Sequence, residues 1–218
     1  GVIVDYSRLV GSFFIALFIL WAVLITAGFL VLGPRVFKLM WDVRAPGLIA
    51  FATASSEAAY PRLLEQLERH GVANRVVSFV LPLGYSFNLD GSMMYCTFAV
   101  MFIAQAMGIH LDIGQQIGML LLLMVTSKGI AGVPRASLVV ISATLPAMGM
   151  KPEWIALVLA VDAFMDMGRT ATNVIGNSIA SAVIAKWEGL LSDPKQDPPM
   201  VESVLGSGES ESAPASKS

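Results

Sequence analysis

Long apolar runs separated by short polar interruptions dominate this chain. Residues 9–34 contain no charged side chain, and their core is long enough to cross about 30 Å of hydrocarbon as a helix. This run predicts one membrane-spanning helix. The next apolar piece, residues 45–56, ends in small polar residues. Because a stretch of about 10 to 14 apolar residues is too short to span, we predict a re-entrant hairpin over residues 45–75.

Two further segments are interrupted at their centres. Residues 76–109 are predominantly apolar on both sides of Asn-Leu-Asp-Gly-Ser at residues 88–92, which predicts a spanning helix that is broken near its middle. Residues 116–150 consist of two short apolar pieces around a tip at residues 128–135 that contains Gly and Pro. Gly and Pro interrupt the helix and leave backbone groups without hydrogen-bond partners. Lipid cannot satisfy these groups, so this tip must face protein or water. The segment predicts a second re-entrant hairpin.

A last helix is predicted over residues 154–187, and the Ser-, Glu-, Pro- and Gly-rich residues 190–218 predict a disordered cytoplasmic tail. Six basic residues fall between Arg35 and Arg75, whereas the other two turns carry one between them. The positive-inside rule therefore puts the Arg35 side in the cytoplasm. Together the elements predict an all-α, multi-pass membrane protein with two re-entrant hairpins. Paired interruptions of this kind predict a binding site near the midplane.

Composition excludes several classes of protein. Of 218 residues, 56% are hydrophobic and only 14% are charged, and the mean hydropathy is +0.71, whereas a soluble domain averages about 25% charged residues. A net charge of −2 without a basic cluster gives no electrostatic basis for binding nucleic acid. The single cysteine, Cys96, lies in an apolar run and is interpreted as a buried structural thiol. The chain begins at Gly1, and we expect it to be a fragment.

The strongest chemical signal is a polar face on the last predicted helix. Six polar residues share it, namely Asp162, Asp166, Arg169, Thr170, Asn173 and Asn177. At about 100° per residue they fall within an arc of about 100°. Each central charge would cost at least about 2.5 kcal/mol if it faced lipid, so the face must look into a polar cavity or pair internally. An Asp166–Arg169 ion pair that only locks helices together is the simpler alternative, but six polar groups exceed what one such pair needs.

Two weaker signals lie at the interruptions. Asn88 and Asp90 at the helix break offer carbonyl and carboxylate oxygens to a small cation, although a helix kink with a capping Asp has the same local sequence. Ser55 and Ser56 at the first tip offer hydroxyls and amides to an anion, although small residues are also ordinary at a tight helix turn. Together with the polar face of the last predicted helix, Asn88 and Asp90 favour ion binding.

The sequence assigns no definite role to three other polar residues. Glu57 is either a proton-titrating group or a solvated residue on the cytoplasmic side, and the sequence leaves both open. His70 and His110 lie in predicted loops without the spacing of metal ligands. We therefore expect both histidines to be without function.

Four motifs occur along the chain in the order and at the spacing that are typical of one protein family. They are Ala-Ser-Ser-Glu at residues 54–57, Tyr-Ser-Phe-Asn-Leu-Asp-Gly-Ser at 85–92, Thr-Ser-Lys-Gly-Ile-Ala-Gly-Val-Pro at 126–134 and Asp-Met-Gly-Arg-Thr-Ala-Thr-Asn at 166–173. With them the chain resembles the dicarboxylate/amino acid:cation symporters, especially the bacterial glutamate/aspartate branch. The resemblance implies secondary active symport of an acidic amino acid with Na+ and/or H+, and no other cofactor, across the bacterial inner membrane.

The resemblance also implies an architecture. The family has eight transmembrane helices and two hairpins, and this chain resembles the sixth helix, both hairpins, the seventh and the eighth. Residues 1–189 would be a partial transport domain of an elevator-type transporter, a homotrimer when complete, in which the hairpins gate the substrate. The amino-terminal scaffold and the third helix would be missing.

Roles for individual residues follow from the same resemblance. Arg169 would bind the side-chain carboxylate of the substrate, and Asp166 would bind its α-ammonium group. The other implied substrate-binding residues are Ser55, Ser56, Ser92, Val133, Thr170 and Asn173. The implied cation-binding residues are Gly84, Ser86, Asn88, Asp90, Ser127, Ile130, Asn173 and Asn177. A candidate Na+ site comprises Asn88, Asp90, Asn173 and Asn177.

The chain departs from the family pattern at three positions. Sodium-coupled members carry Met and a carboxylate where this chain has Leu89 and Asn177, so we expect coupling that depends at least partly on protons. Arg135 replaces a glycine that is usual in the second tip. It is either a solvated tip residue or one that alters gating.

Other functions fit the sequence less well than acidic amino acid symport. A C4-dicarboxylate symporter of the same family is the main alternative, although Asp166 disfavours it because a buried carboxylate would repel a dicarboxylate. An intramembrane aspartyl protease would pair Asp90 with Asp162 or Asp166, but its Gly-x-Gly-Asp element is missing. A passive anion channel would need a ring of basic groups, whereas one central arginine faces aspartates here.

Overall fold

The computed structural model describes residues 1–128 and 132–194, and the regular elements within them are helical. The helices are α1 (Val2–Leu32), α2 (Arg35–Asp42), α3 (Arg44–Thr53), α4 (Ser56–Arg69), α5 (Asn74–Phe87), α6 (Asp90–Ala106), α7 (Ile113–Thr126), α8 (Ala136–Thr144), α9 (Ala156–Leu159) and α10 (Asp162–Trp187). Short 3-10 turns cover Pro146–Met148 and Pro152–Ile155. The predicted all-α class is confirmed.

Helix α1 is the longest apolar element. It begins at Val2 rather than at residue 9, because its first turns continue through charged residues and Asp5 lies favourably at the positive end of the helix dipole. It ends at Leu32, since Gly33 takes a positive φ (66°, with ψ −151°) that favours glycine, and its amide donates to Phe29 O. Within the described residues, Val2–Leu32 and Asn74–Ala106 are long and apolar enough to cross a membrane.

Helices α3 and α4 form a helical hairpin around a two-residue turn. Ala54 is left-handed (φ 50°), and the Ser55 hydroxyl caps α4 by accepting from the Ala58 amide at 3.2 Å. The hairpin ends at Arg69 rather than at residue 75, because Gly71 turns the chain with φ 101° before α5 begins. Neither arm exceeds 14 residues, which is too short to span a bilayer.

The predicted break in the middle helix is confirmed. Helix α5 ends at Phe87 and α6 begins at Asp90, with Asn88 (φ −110°, ψ 72°) and Leu89 (φ −112°, ψ 58°) outside helical geometry. The two halves cover Asn74–Ala106 instead of residues 76–109. The break therefore exposes backbone groups at the point where polar side chains accumulate.

The second half of the chain differs from prediction at two element boundaries. Helix α7 begins at Ile113, where Asp112 and Gln115 form a capping box, and residues 129–131 of the following tip lie outside the described residues. The single helix predicted over residues 154–187 is divided, because α9 ends at Leu159 and Val161 (φ −119°, ψ −2°) precedes α10, which starts at Asp162. The division puts Asp162 in the first turn of α10, where a carboxylate is favoured.

Helix α10 is the centre of the fold. It packs against α1, α3, α4, α5 and α6, and the Trp21 indole of α1 donates to Thr172 Oγ1 at 2.8 Å. One apolar core gathers around α6, α7 and α8, and a second gathers around α2 to α5 and the later part of α10. The polar part of α10 lies where these two cores meet.

The chain after α10 stays packed for a few residues. The Ala73 amide donates to Leu190 O at 3.1 Å, and the Ser192 amide donates to Gly71 O at 2.9 Å. The predicted disordered tail is therefore wrong at residues 190–192, because main-chain hydrogen bonds hold them against the turn before α5. Residues 195–218 of that tail lie outside the described residues.

Candidate functional site

Asp166 and Arg169 form the buried centre of the site. They lie one turn apart on α10, each 1% exposed, and Asp166 Oδ1 is 2.5 Å from Arg169 Nε. The contact is an ion pair without the alignment of a hydrogen bond. The guanidinium also donates from Nη1 to Ser92 Oγ at 3.1 Å and from Nη2 to Val133 O at 3.5 Å. The guanidinium of Arg169 thus contacts α6, another residue of α10 and the second tip.

All six residues of the predicted polar face on α10 are buried, so the prediction that this face avoids lipid is confirmed. Asn173 connects the face to α6. Its Oδ1 accepts from the amides of Gly91 at 2.9 Å and Ser92 at 3.3 Å, and its Nδ2 donates to Ser92 Oγ at 3.0 Å. Such close approach needs a glycine, since a Cβ on Gly91 would lie 2.1 Å from Arg169 O.

The two helical tips contact each other beside this centre. The Ser55 hydroxyl donates to Gly132 O at 2.9 Å, and the Glu57 amide donates to the same carbonyl at 3.3 Å. Ser56 is buried, and its carbonyl accepts from Tyr85 OH at 3.1 Å. The predicted meeting of the tips near Asp166 and Arg169 is therefore observed within the described residues.

The hydroxyl of Thr170 has less hydrogen-bonding capacity for a ligand than predicted. Its hydroxyl is buried and donates to Asp166 O, one turn earlier in α10, at 2.7 Å. The proton of the hydroxyl is thus engaged by the helix itself. The oxygen can still accept a hydrogen bond from a ligand donor such as an ammonium group.

A second polar cluster forms at the helix break. Asn88 Nδ2 donates to Asn177 Oδ1 at 3.1 Å, and a Cβ on Gly84 would lie 2.2 Å from that same oxygen. A Cβ on Gly176 would lie 2.7 Å from Asp90 Oδ2. Two glycines thus allow α5, α6 and α10 to bring carboxamide and carboxylate oxygens together, as a small hard cation requires.

The cluster is poor in charge. Within residues 1–128 and 132–194, no three His, Cys, Asp or Glu side chains gather in a metal-binding group. Asn177 Nδ2 is buried and has no hydrogen-bond partner in the same ranges. A cation held here would be bound by the Asp90 carboxylate together with neutral oxygens from carboxamides and the backbone.

Two predicted cation-binding residues, Ser86 and Ser127, are not brought into the cluster by their side chains. The Ser86 hydroxyl donates to Pro82 O in its own helix at 3.4 Å. The buried Ser127 hydroxyl donates to Met93 Sδ at 3.2 Å. Ile130 lies outside the described residues. A role for Ser86 or Ser127 in cation binding would therefore have to come from the backbone or from another conformation.

Sequence reasoning missed an ion pair beside the centre. Asp162 is fully buried and accepts from Tyr95 OH through Oδ1, while its Oδ2 is 3.3 Å from Arg135 Nε. The Arg135 amide donates to Asp166 Oδ2 at 2.7 Å. The sequence shows that Asp162 and Asp166 are spaced by one helical turn. It does not show that the second tip folds so that Arg135 reaches them.

His70 lies in a turn, as predicted, but it is buried and paired, which the sequence did not indicate. His70 is 1% exposed and its Nδ1 is 2.6 Å from Asp42 Oδ2, while Arg35 donates to His70 Nε2 at 3.4 Å and to His70 O at 2.8 Å. Burial is the main cause that lowers the pKa of His70 below 6.5, and the Asp42 contact opposes it. This junction lies outside the membrane-spanning segments.

Comparison with known proteins agrees with the geometry. Two long apolar segments, one of which is a broken helix, and charges buried on a central helix are typical of membrane transporters. The profile described as "Sodium:dicarboxylate symporter family" matches residues 1–187, so the chain belongs to that family of transporters. This membership places it with symporters rather than with intramembrane proteases.

Individual relatives carry two kinds of name. The chain is 42% identical over 203 residues to the "Proton/sodium-glutamate symport protein" of Bacillus subtilis (strain 168), covering 93% of this chain and 47% of the relative. It is 51% identical over 156 residues to the "Proton/glutamate-aspartate symporter" of Escherichia coli (strain K12), covering 72% of this chain and 36% of the relative. It is 44% identical over 192 residues to the "C4-dicarboxylate transport protein" of Stenotrophomonas maltophilia (strain R551-3), covering 88% and 43%. The chain spans less than half the length of each.

Proposed function

We propose that this chain carries the substrate and cation sites of a secondary active symporter for glutamate or aspartate. The observation that carries the proposal is the buried pair of Asp166 and Arg169, in contact with each other and with both α6 and the second tip. Together they offer one anionic and one cationic group, one helical turn apart, which matches the opposite charges of a small zwitterion. Two relatives whose names include glutamate support this choice.

Arg169 is suited to the side-chain carboxylate of the substrate. A guanidinium binds a carboxylate through two parallel hydrogen bonds, and the Nη1 and Nη2 atoms of Arg169 now donate to Ser92 Oγ and Val133 O. These neutral partners are weaker acceptors than a carboxylate. A bound acidic substrate would therefore replace them favourably.

Asp166 is suited to the α-ammonium group. Its Oδ2 accepts from the Arg135 amide, a neutral donor that an ammonium group would exceed in strength. Succinate or malate would bring a second carboxylate to this buried oxygen, with repulsion and no compensating cation. The acidic amino acid is therefore favoured, whereas the identity to a C4-dicarboxylate transport protein keeps that substrate class as the second candidate.

Coupling to cations is assigned to the cluster at the helix break. Asn88, Asp90, Asn173 and Asn177 would hold Na+, with Asp90 supplying the charge. Because Asn177 is neutral, we propose that protons supply part of the coupling. Ser55, Ser56, Ser92, Val133, Thr170 and Asn173 would complete the substrate site.

The finer architecture belongs to the same proposal. Residues 1–189 would form part of an elevator-type transport domain in the bacterial inner membrane, with α3–α4 and α7–α8 as re-entrant hairpins and the carboxy terminus in the cytoplasm. The complete protein would be a homotrimer. The short arms of the first hairpin and the contact between the tips support this arrangement.

Competition for uptake tests the proposal. The protein at its natural full length is reconstituted into liposomes, and uptake of labelled glutamate is measured with unlabelled aspartate or succinate as competitor. We expect aspartate to compete better than succinate, and Asp166→Ser to weaken amino-acid binding more than dicarboxylate binding. Equal or better competition by succinate in the unmodified protein would overturn the substrate assignment and favour the C4-dicarboxylate alternative.

A further inference from the structure

Arg135 occupies an unusual backbone conformation at the second tip. With φ 64° and ψ 7° it is left-handed and directly precedes α8, a conformation that costs a non-glycine residue about 1 kcal/mol. Such strain persists only where surrounding contacts compensate for it. The contacts of Arg135 with α10 provide that compensation.

One residue of the tip thus holds two carboxylates of α10. The backbone amide of Arg135 donates to Asp166 Oδ2 at 2.7 Å, and its Nε lies 3.3 Å from Asp162 Oδ2. Asp162 and Asp166 are four residues apart and therefore lie on the same face of the helix. The left-handed turn aims the amide at one carboxylate while the side chain reaches the other.

The Asp162 carboxylate is enclosed by the fold, so it depends on the contact with Arg135 to compensate its charge. Its side chain is 0% exposed, Oδ1 accepts from Tyr95 OH, and Oδ2 has no aligned hydrogen bond to any residue that the structure describes. The side chain of Arg135 is 65% exposed. Movement of the tip would leave a buried carboxylate with a single neutral donor, which is strongly unfavourable.

We propose that Arg135 is a positioning residue whose guanidinium latches the second tip to α10 through Asp162, with Tyr95 fixing the orientation of that carboxylate. The latch acts before any substrate binds and does not depend on which substrate the protein carries. It sets how often the tip leaves α10 and uncovers Asp166. The role goes beyond the transport function proposed above.

A thiol reporter on the tip measures the latch directly. Val133 is 39% exposed and Cys96 is 0% exposed, so Val133→Cys introduces an accessible thiol into a segment, residues 1–218, whose own cysteine is buried. In the protein at its natural full length, without substrate, we measure the rate at which a charged thiosulfonate reagent modifies this cysteine. Faster modification reports more frequent opening of the tip.

Removal of either partner should speed modification. We expect Arg135→Gln and Asp162→Asn each to raise the rate about five- to tenfold, because each breaks an ion pair with one buried member. The double variant should be no faster than the faster single variant, since both remove the same contact. Arg135→Lys should restore part of the slow rate.

Lys128 provides a matched control on the same tip. Its Nζ donates to Phe87 O at 2.9 Å, not to α10, so Lys128→Gln removes one positive charge without touching the latch and should leave the rate unchanged. An Arg135→Gln rate equal to the unmodified rate would overturn the proposal. Multiplicative effects in the double variant would do the same.

Salt dependence gives a second test that leaves the buried Asp162 intact. Raising the salt concentration from about 0.1 M to about 1 M shortens the Debye length from about 10 Å to about 3 Å. Because Arg135 is largely exposed, the unmodified latch should weaken and modification should accelerate, whereas Arg135→Gln should respond little. Equal salt responses in the two proteins would contradict the latch.

Discussion

Asp166 Oδ1 lies 2.5 Å from Arg169 Nε, within one turn of α10, and both side chains are buried. Removal of either residue would therefore leave the other as an uncompensated buried charge. A bound zwitterion would replace part of this internal pairing with equivalent pairing to its own charges. The pair is thus both the stabilising contact and the proposed recognition element.

The first prediction concerns Arg169. Arg169→Cys should abolish uptake of glutamate and aspartate, because truncation of a buried charge partner costs about 2–5 kcal/mol, or roughly 30- to 5,000-fold in affinity. It should admit neutral amino acids, whose side chains need no cation. Uptake of labelled glutamate and labelled serine is the measurement, and Arg62→Cys, an exposed residue in α4, is the control. Retained glutamate uptake would rule out the assigned role.

The second prediction concerns coupling. Asn177→Asp should make uptake more dependent on sodium, because a carboxylate can still accept from Asn88 Nδ2, removes the unpartnered Nδ2, and adds charge to a cation site. Asp90→Asn should have the opposite effect. Uptake is measured under a sodium gradient and under a pH gradient separately. An Asn177→Asp variant with unchanged sodium dependence would count against this cation site.

The third prediction concerns stability at a glycine contact. Gly91→Ala should lower the free energy of unfolding by about 1–3 kcal/mol, since its Cβ would lie 2.1 Å from Arg169 O. Gly118→Ala in α7 is the control, because a Cβ there meets nothing within 4 Å and should stabilise the helix by about 0.5–1 kcal/mol. Thermal unfolding of the two purified variants distinguishes them. Equal midpoints would contradict the contact.

The fourth prediction concerns pH. Burial lowers the pKa of His70 below 6.5, so below about pH 6.5 the unfolded chain binds a proton that the folded chain disfavours. Stability should therefore fall as pH falls through this range and be fully present above it. In the neutral form Nδ1 donates to Asp42, and Nε2 accepts from Arg35. A proton on Nε2 would break the second contact and face Arg35 and Lys38.

His70→Gln should flatten this dependence of the unfolding midpoint between pH 7.5 and pH 5.5, whereas His110→Gln, at an exposed position, should leave it unchanged. Thermal unfolding across the pH series makes the comparison. A His70→Gln variant that retains the full slope would assign the pH dependence to other groups.

Features that depend on helical periodicity could be predicted from the sequence. The break at Asn88 was visible because polar residues and a glycine interrupt an apolar run, and the buried face of α10 was visible because its polar residues recur at helical spacing. The contact between the tips followed from two interruptions of similar kind. These signals are local, so a single sequence contains them.

Features that depend on distant contacts could not be predicted. The buried His70 is paired with Asp42, 28 residues away, and the left-handed Arg135 donates its amide to Asp166, 31 residues away. Thr170 was assigned to ligand binding although its hydroxyl proton is engaged by α10 itself. Residue type and spacing predict which side chains share a face, but not which partner satisfies each one.

The hydrogen bonds at residues 190–192 have a mechanical consequence for α10. At its start, Asp162 is tied to Tyr95 of α6, and beyond its end, Leu190 and Ser192 are tied to the turn before α5. A helix anchored at both ends cannot rotate about its own axis without breaking bonds at one of them. The angular position of Asp166 and Arg169 is therefore set when the chain folds, and movement of the tips changes access to these residues without turning them.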